Sequence, residues 1–104
     1  MFNLVVEIER FVDNDFPGFV ECSLVDAGGV RHEFVEKVPV VSSANLRDDS
    51  TYLQSGYIGC IIENERIDKL GRHLMQVDTN QPWGIESIVG ETRFEVLAEQ
   101  IVSD

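Results

Sequence analysis

Apolar residues recur at every second position over much of the chain. In "FNLVVEIERFV", Phe2, Leu4, Val6 and Ile8 alternate with Asn3, Val5, Glu7 and Glu9. That is the period of a strand with one dry face. Asp13, Asn14, Asp15, Pro17 and Gly18 then form a turn cluster. A second strand is predicted over 19–25, with Val20, Cys22 and Leu24 on one face and Glu21 and Ser23 on the other. "DAGG" ends it. A third strand follows over 30–36, with Val30, His32 and Phe34 sharing a face.

Residues directly opposite in a hairpin lie on the same face, so parity restricts the pairing. A loop of Asp26, Ala27 and Gly28 sets Cys22 opposite His32, Leu24 opposite Val30 and Val20 opposite Phe34. It puts Gly28 where a left-handed residue is wanted. It also sets Glu21 against Glu33, a like-charge pair that costs up to about 1 kcal/mol. A loop of Ala27, Gly28 and Gly29 removes that pair and sets His32 opposite Leu24. The first register is the expectation.

"KVPVV" reads as a short strand with Pro39 at a sheet edge. "SSANLRDDSTYLQSG" is polar and long for a connection, so it has room for a helical turn over 43–49 or for lining a site. "YIGCIIENERI" and "RHLMQVDT" form a second hairpin around "DKLG". A four-residue loop there pairs Ile67 with Arg72 and sets Ile62 against Val77. "NQPWG" is a turn, and "TRFEVLAEQ" predicts a strand over 92–97 followed by a bend or short helical turn. About six strands joined by hairpins predict an all-β fold, a small antiparallel barrel over 1–104 that hides its edges by curling.

Composition adds a charge. The 104 residues include 19 acidic and 8 basic side chains, for a net charge of −11. Such a field repels nucleic acid and anionic membranes, and leaves a basic protein as the charged partner it suits. The hydrophobic share, 43%, is enough for a core without a disulfide or a metal. No apolar run approaches the roughly 18 residues of a membrane span. "MFNLVVEIER" lacks a basic start and meets Glu7 early, so it does not read as a signal peptide. Cys22 and Cys60 form no close pair, which points to reduced thiols and a cytoplasmic setting.

Candidate chemistry is sparse. Cys22 with His32 is the one nucleophile pair, since an imidazole within reach can hold a thiol's proton. Both fall on the predicted dry face, where a thiol more often packs as a small hydrophobe. Cys22, His32, Cys60 and His73 lack the paired spacing of structural zinc, and no phosphate-cradling glycine loop exists. No cofactor or metal is expected. Trp83 either plugs the barrel mouth, with its indole N–H on a loop carbonyl, or anchors a partner or ligand together with Tyr52 and Tyr57. Glu7, Glu9, Glu63 and Glu65 fall on outward strand positions, a solvated face that also suits a cationic partner.

"FPGFVECSLVDAGGVRHEFVEKVPVV", "NQPWGIES" and "TRFEVLAEQ" together resemble a group of small bacterial single-domain proteins of about 100 residues with no known activity. The resemblance implies a stand-alone bacterial domain and assigns no site residue. The expected function is an acidic protein-interaction module, in one form an immunity- or inhibitor-like partner of a basic protein. The alternatives are a small-ligand site at the Trp83 end and a cysteine-dependent enzyme using Cys22 and His32.

Overall fold

Strand β1 (Phe2–Asp13) runs through the middle of the sheet. The computed structural model describes residues 1–103. One edge of β1 carries β4 (Gln54–Ile67) along Phe2–Ile8. The other edge carries β7 (Ile101–Ser103) against Phe2–Leu4 and β2 (Phe19–Val25) against Glu7–Asp13. Beyond β2 lies β3 (Arg31–Lys37); beyond β4 lie β5 (His73–Asp78) and β6 (Arg93–Leu97). Every pairing is antiparallel, and the six main strands curl into a half-barrel. The long strands bend at irregularities in pairing, between Ile8 and Arg10 and between Phe11 and Asp13 in β1, and between Ile62 and Asn64 in β4. An extra residue on one strand of a pair sharpens its twist in this way.

The expected parity holds through the core. Leu4, Val6 and Ile8 of β1 are buried with Val20, Cys22 and Leu24 of β2, Phe34 of β3, and Ile58 and Cys60 of β4. Phe34 meets Phe94 edge to face at 5.7 Å between centroids, the arrangement ring quadrupoles favour. Gly56 faces the same interior. A Cβ there would stand 2.7 Å from Ile8 Cγ1, so the absent side chain is what lets Ile8 fill the space.

Three turns share one construction. Asp26 keeps its N–H in the ladder, on Val30 O at 2.9 Å, while Gly29 N–H returns to Asp26 O at 3.0 Å with φ +84°. The Asp26 carboxylate then accepts the N–H groups of Gly28 and Val30, each at 2.9 Å. Asp68 does the same around Gly71, accepting Leu70 and Arg72 N–H at 2.9 Å. Ser87 does so around Gly90, with its Oγ accepting Glu91 N–H at 3.1 Å.

That construction corrects the expected register. The left-handed position belongs to Gly29, not Gly28, so His32 faces Leu24 and Cys22 faces Phe34. The Glu21–Glu33 repulsion disappears with it, because Glu21 faces Val35. The second hairpin is likewise shifted by one residue from the expected register, with Ile67 opposite His73 instead of Arg72. The irregularity in β4 then restores the expected pairing of Ile62 with Val77.

"KVPVV" is not a strand. Val38–Val41 forms a helical turn, α1, with Pro39 at its start, where a missing N–H costs nothing. Val38 and Val41 are buried at one end of the half-barrel. Residues 43–49 hold no helix. The expected C-terminal helical turn is present as a 3-10 turn, Ala98–Gln100. It leads into β7, a strand the periodicity did not predict, which returns the chain to β1. Among the described residues, no helix is long and apolar enough to cross a membrane.

Candidate binding surface around Trp83

The connection between β5 and β6 presents Trp83, and buried polar side chains hold that connection in place. Thr79 is fully buried. Its Oγ1 donates to Ile85 O at 2.6 Å, and its own carbonyl accepts Ile85 N–H at 3.0 Å. Gly84 N–H closes the loop on Asn80 O at 2.9 Å, and Ile85 is buried in the core. Further on, Ile88 N–H bonds Glu33 O of β3 at 2.9 Å. The signals that find this loop in the sequence are Thr79 and Ser87, two small hydroxyl residues flanking "NQPWGIE" that serve as internal ties.

Trp83 at the head of the loop is 62% exposed. It therefore does not plug the barrel, and among the described residues its indole N–H makes no hydrogen bond. Instead the ring lies against Gly59 of β4, where a Cβ would come within 2.7 Å of Trp83 Cδ1. The interior needs no plug, since Phe34, Leu4, Ile8 and Ile58 already fill it. Pro39 and Val40 of α1 face Trp83 across a groove of about 390 Å³. Tyr57, 45% exposed, joins Trp83 in an adjoining groove with Asn3, Ser42 and Ser43.

Tyr52 stands apart from this group. It packs on the core, and its hydroxyl donates to Arg47 O at 2.7 Å. Burial pushes its phenol pKa up, with Asp48 and Asp49 adding to the shift and the Ser50 hydrogen bond opposing it. Tyr52 thus ties the 47–52 segment together, while Trp83 and Tyr57 form the exposed pair.

The four carboxylates singled out in the sequence differ from one another. Glu9 pairs with Arg31, Glu63 with Arg93 at 3.0 Å, and Glu65 with His73 at 3.1 Å. Hydrogen bonding by Ser23 and Arg31 outweighs desolvation at Glu9 and lowers its pKa. Glu7 makes no salt bridge among the described residues and lines a separate groove with Glu99. Glu36 and Glu86 line a groove of about 490 Å³ beside Gly84, the residue after Trp83. Neither forms a salt bridge among the described residues. Burial raises the Glu36 pKa, and the Lys37 N–H and charge offset only part of the shift.

Cys22 is fully buried, 0% exposed, with its thiol pKa pushed up to about 12 by burial and then by Glu36, Glu9 and Glu21. His32 turns instead to Asp26, with Nε2 at 2.8 Å from Oδ2, and its Nδ1 lies 3.6 Å from Glu91 Oε2. The histidine joins two turns, and the Cys22–His32 pair is not formed. Among the described residues, no three of His, Cys, Asp and Glu converge to hold a metal ion.

The chain is thus an antiparallel half-barrel with an exposed tryptophan on a tied loop beside unpaired carboxylates. No family model matches it, and no curated protein or solved structure matches it either.

Proposed function

We propose that this protein is a binding module that docks on a cationic partner protein through Trp83. The observation that carries the reading is Trp83 itself, 62% exposed on a loop whose backbone is tied at Thr79, Ile85 and Ile88. A large aromatic held in water loses little freedom on binding, and such side chains dominate interface energies. Tyr57, Pro39 and Val40 supply the apolar surround. The net charge of −11 speeds approach of a positive surface and disfavours acidic competitors. Inhibition of a basic protein, in the manner of an immunity protein, is one concrete form of this role.

A small-ligand site at the same place is the second reading, and the groove volume falls within the range of such sites. Among the side chains of its walls, Pro39, Val40 and Trp83, only the indole can hydrogen-bond a small polar molecule. That favours a protein surface as the occupant.

The test is affinity capture from native lysate with the wild-type chain and with Trp83→Ala, at low and at high salt. A basic protein should be retained by the wild type at low salt. Its retention should fall about tenfold or more with Trp83→Ala, and fall again as salt rises. Equal retention by Trp83→Ala and at high salt would count against the proposal.

A further inference from the structure

The outer edge of β3 is only partly covered. Its ladder to β2 uses even-numbered residues, as the bonds Asp26 N–H to Val30 O and Val38 N–H to Gly18 O show at its two ends, both 2.9 Å. Odd-numbered residues therefore turn their backbone groups outward. At Glu33 the outward carbonyl takes Ile88 N–H. Two residues further, Val35 presents its N–H and C=O to the same side, and among the described residues nothing pairs with them. A groove of about 490 Å³ opens there, between Val35 and Glu36 on one side and Gly84, Glu86 and Ile88 on the other.

We propose that this groove takes an extended, lysine- or arginine-bearing segment of the partner protein, with its backbone paired to Val35 and its cation between Glu36 and Glu86. The proposal rests on the binding-module reading and names the part of the partner that the surface fits. An unpaired strand edge selects an extended backbone, because main-chain groups there are already aligned for a further strand. The two carboxylates select the cation, and Val35 and Ile88 give its neighbours an apolar rim. Glu36 is half-buried and forms no side-chain ion pair among the described residues, the neighbouring Lys37 offsetting only part of its burial, so it gains more from an incoming positive charge than a fully hydrated carboxylate does. A second copy of the chain suits the groove poorly. It brings another −11 of charge, and Ile88 already occupies the edge at Glu33, which a β3-to-β3 pairing would need.

The experiment is amide exchange and chemical-shift mapping of the labelled protein with a hexapeptide alternating threonine and lysine. A threonine–glutamate hexapeptide is the control. At about millimolar lysine peptide, Val35 N–H exchange should slow about tenfold or more. Shifts should concentrate at 35–37 and 84–88. Glu86→Gln, an exposed and structurally mild change, should weaken the lysine peptide about threefold. No protection of Val35, equal protection by the glutamate peptide, or shifts confined elsewhere would overturn the proposal. The two readings separate cleanly. Val35 protection that survives Trp83→Ala supports the groove and removes the tryptophan anchor. A Trp83-dependent partner that leaves Val35 exchanging freely overturns the groove and leaves the anchor standing.

Discussion

Cys22 and Asp26 lie four residues apart, and burial raises the pKa of both, yet the net shifts are opposite. Burial pushes the Cys22 thiol to about 12 and the Cys60 thiol to about 11, from an ordinary 9.0. Neither thiol should react with an alkylating reagent at neutral pH in the folded protein, and both should react once it is unfolded. Their linkage has a definite sign. Between pH 9 and about 11–12 the unfolded chain sheds these protons and the folded chain keeps them. Stability therefore falls as pH rises through that window, which denaturant titration against pH will measure. At Asp26 burial raises the pKa, but the His32 contact and the N–H groups of Val30 and Gly28 more than offset it, so the net shift is downward. That stability is present above the ordinary value of 3.8 and is lost as pH falls through the lower folded value. Asp26→Asn should cost about 1–2 kcal/mol at neutral pH and flatten the acid limb of the curve. Asp26 is also why the expected Cys22–His32 pairing failed. Two registers one step apart both keep the faces sorted, and three bonds to one carboxylate choose between them. The clash of Glu21 with Glu33 was the sign of that choice already legible in the residues.

At the scale of elements, period two is a reliable guide where a strand has one wet face. β1, β2, β4 and β6 lie close to where alternation puts them, because Leu4, Val6, Val20, Ile58 and Phe94 have only one interior to enter. α1 defeats that guide. Val38-Pro39-Val40-Val41 is β-branched and reads as a strand, yet Val38 and Val41 sit three apart and both reach the core only when the backbone turns helical. β7, three residues long, is too short for a period to register. The pentads "DAGGV", "DKLGR" and "SIVGE" were legible as turns, but their shared construction emerges only once the Asp and Ser bonds are seen. That construction makes a prediction. Gly29, Gly71 and Gly90 all have positive φ, and a Cβ added at any of them would meet nothing within 4 Å, so backbone conformation alone sets the cost of a side chain there. Replacing Gly29 or Gly71 by Ala should each destabilise the fold by about 1 kcal/mol, measured by chemical denaturation. Asn at the same positions should cost less, since it tolerates the left-handed region.

For the whole molecule, the arrangement of charge matters more than its total. Arg10, Arg31, Arg66, Arg72 and Arg93 are all engaged in ion pairs with the chain's own carboxylates. These exposed pairs add little stability, and none of them involves Glu36 or Glu86 in the groove beside Gly84. The sequence therefore revealed an acidic surface without showing which carboxylates remain unpaired, because pairing depends on strands distant in the chain. Trp83 was likewise visible as the residue to ask about, while its exposure depended on Gly59 and Thr79, which no local pattern connects to it. The account turns on that side chain being exposed and held still at once. Time-resolved fluorescence anisotropy with acrylamide quenching reads both properties, because Trp83 is the only tryptophan in the chain. The account predicts ready quenching together with anisotropy that decays at the rate of overall tumbling. A shielded indole, or one whose anisotropy is lost mostly by fast local motion, would contradict it.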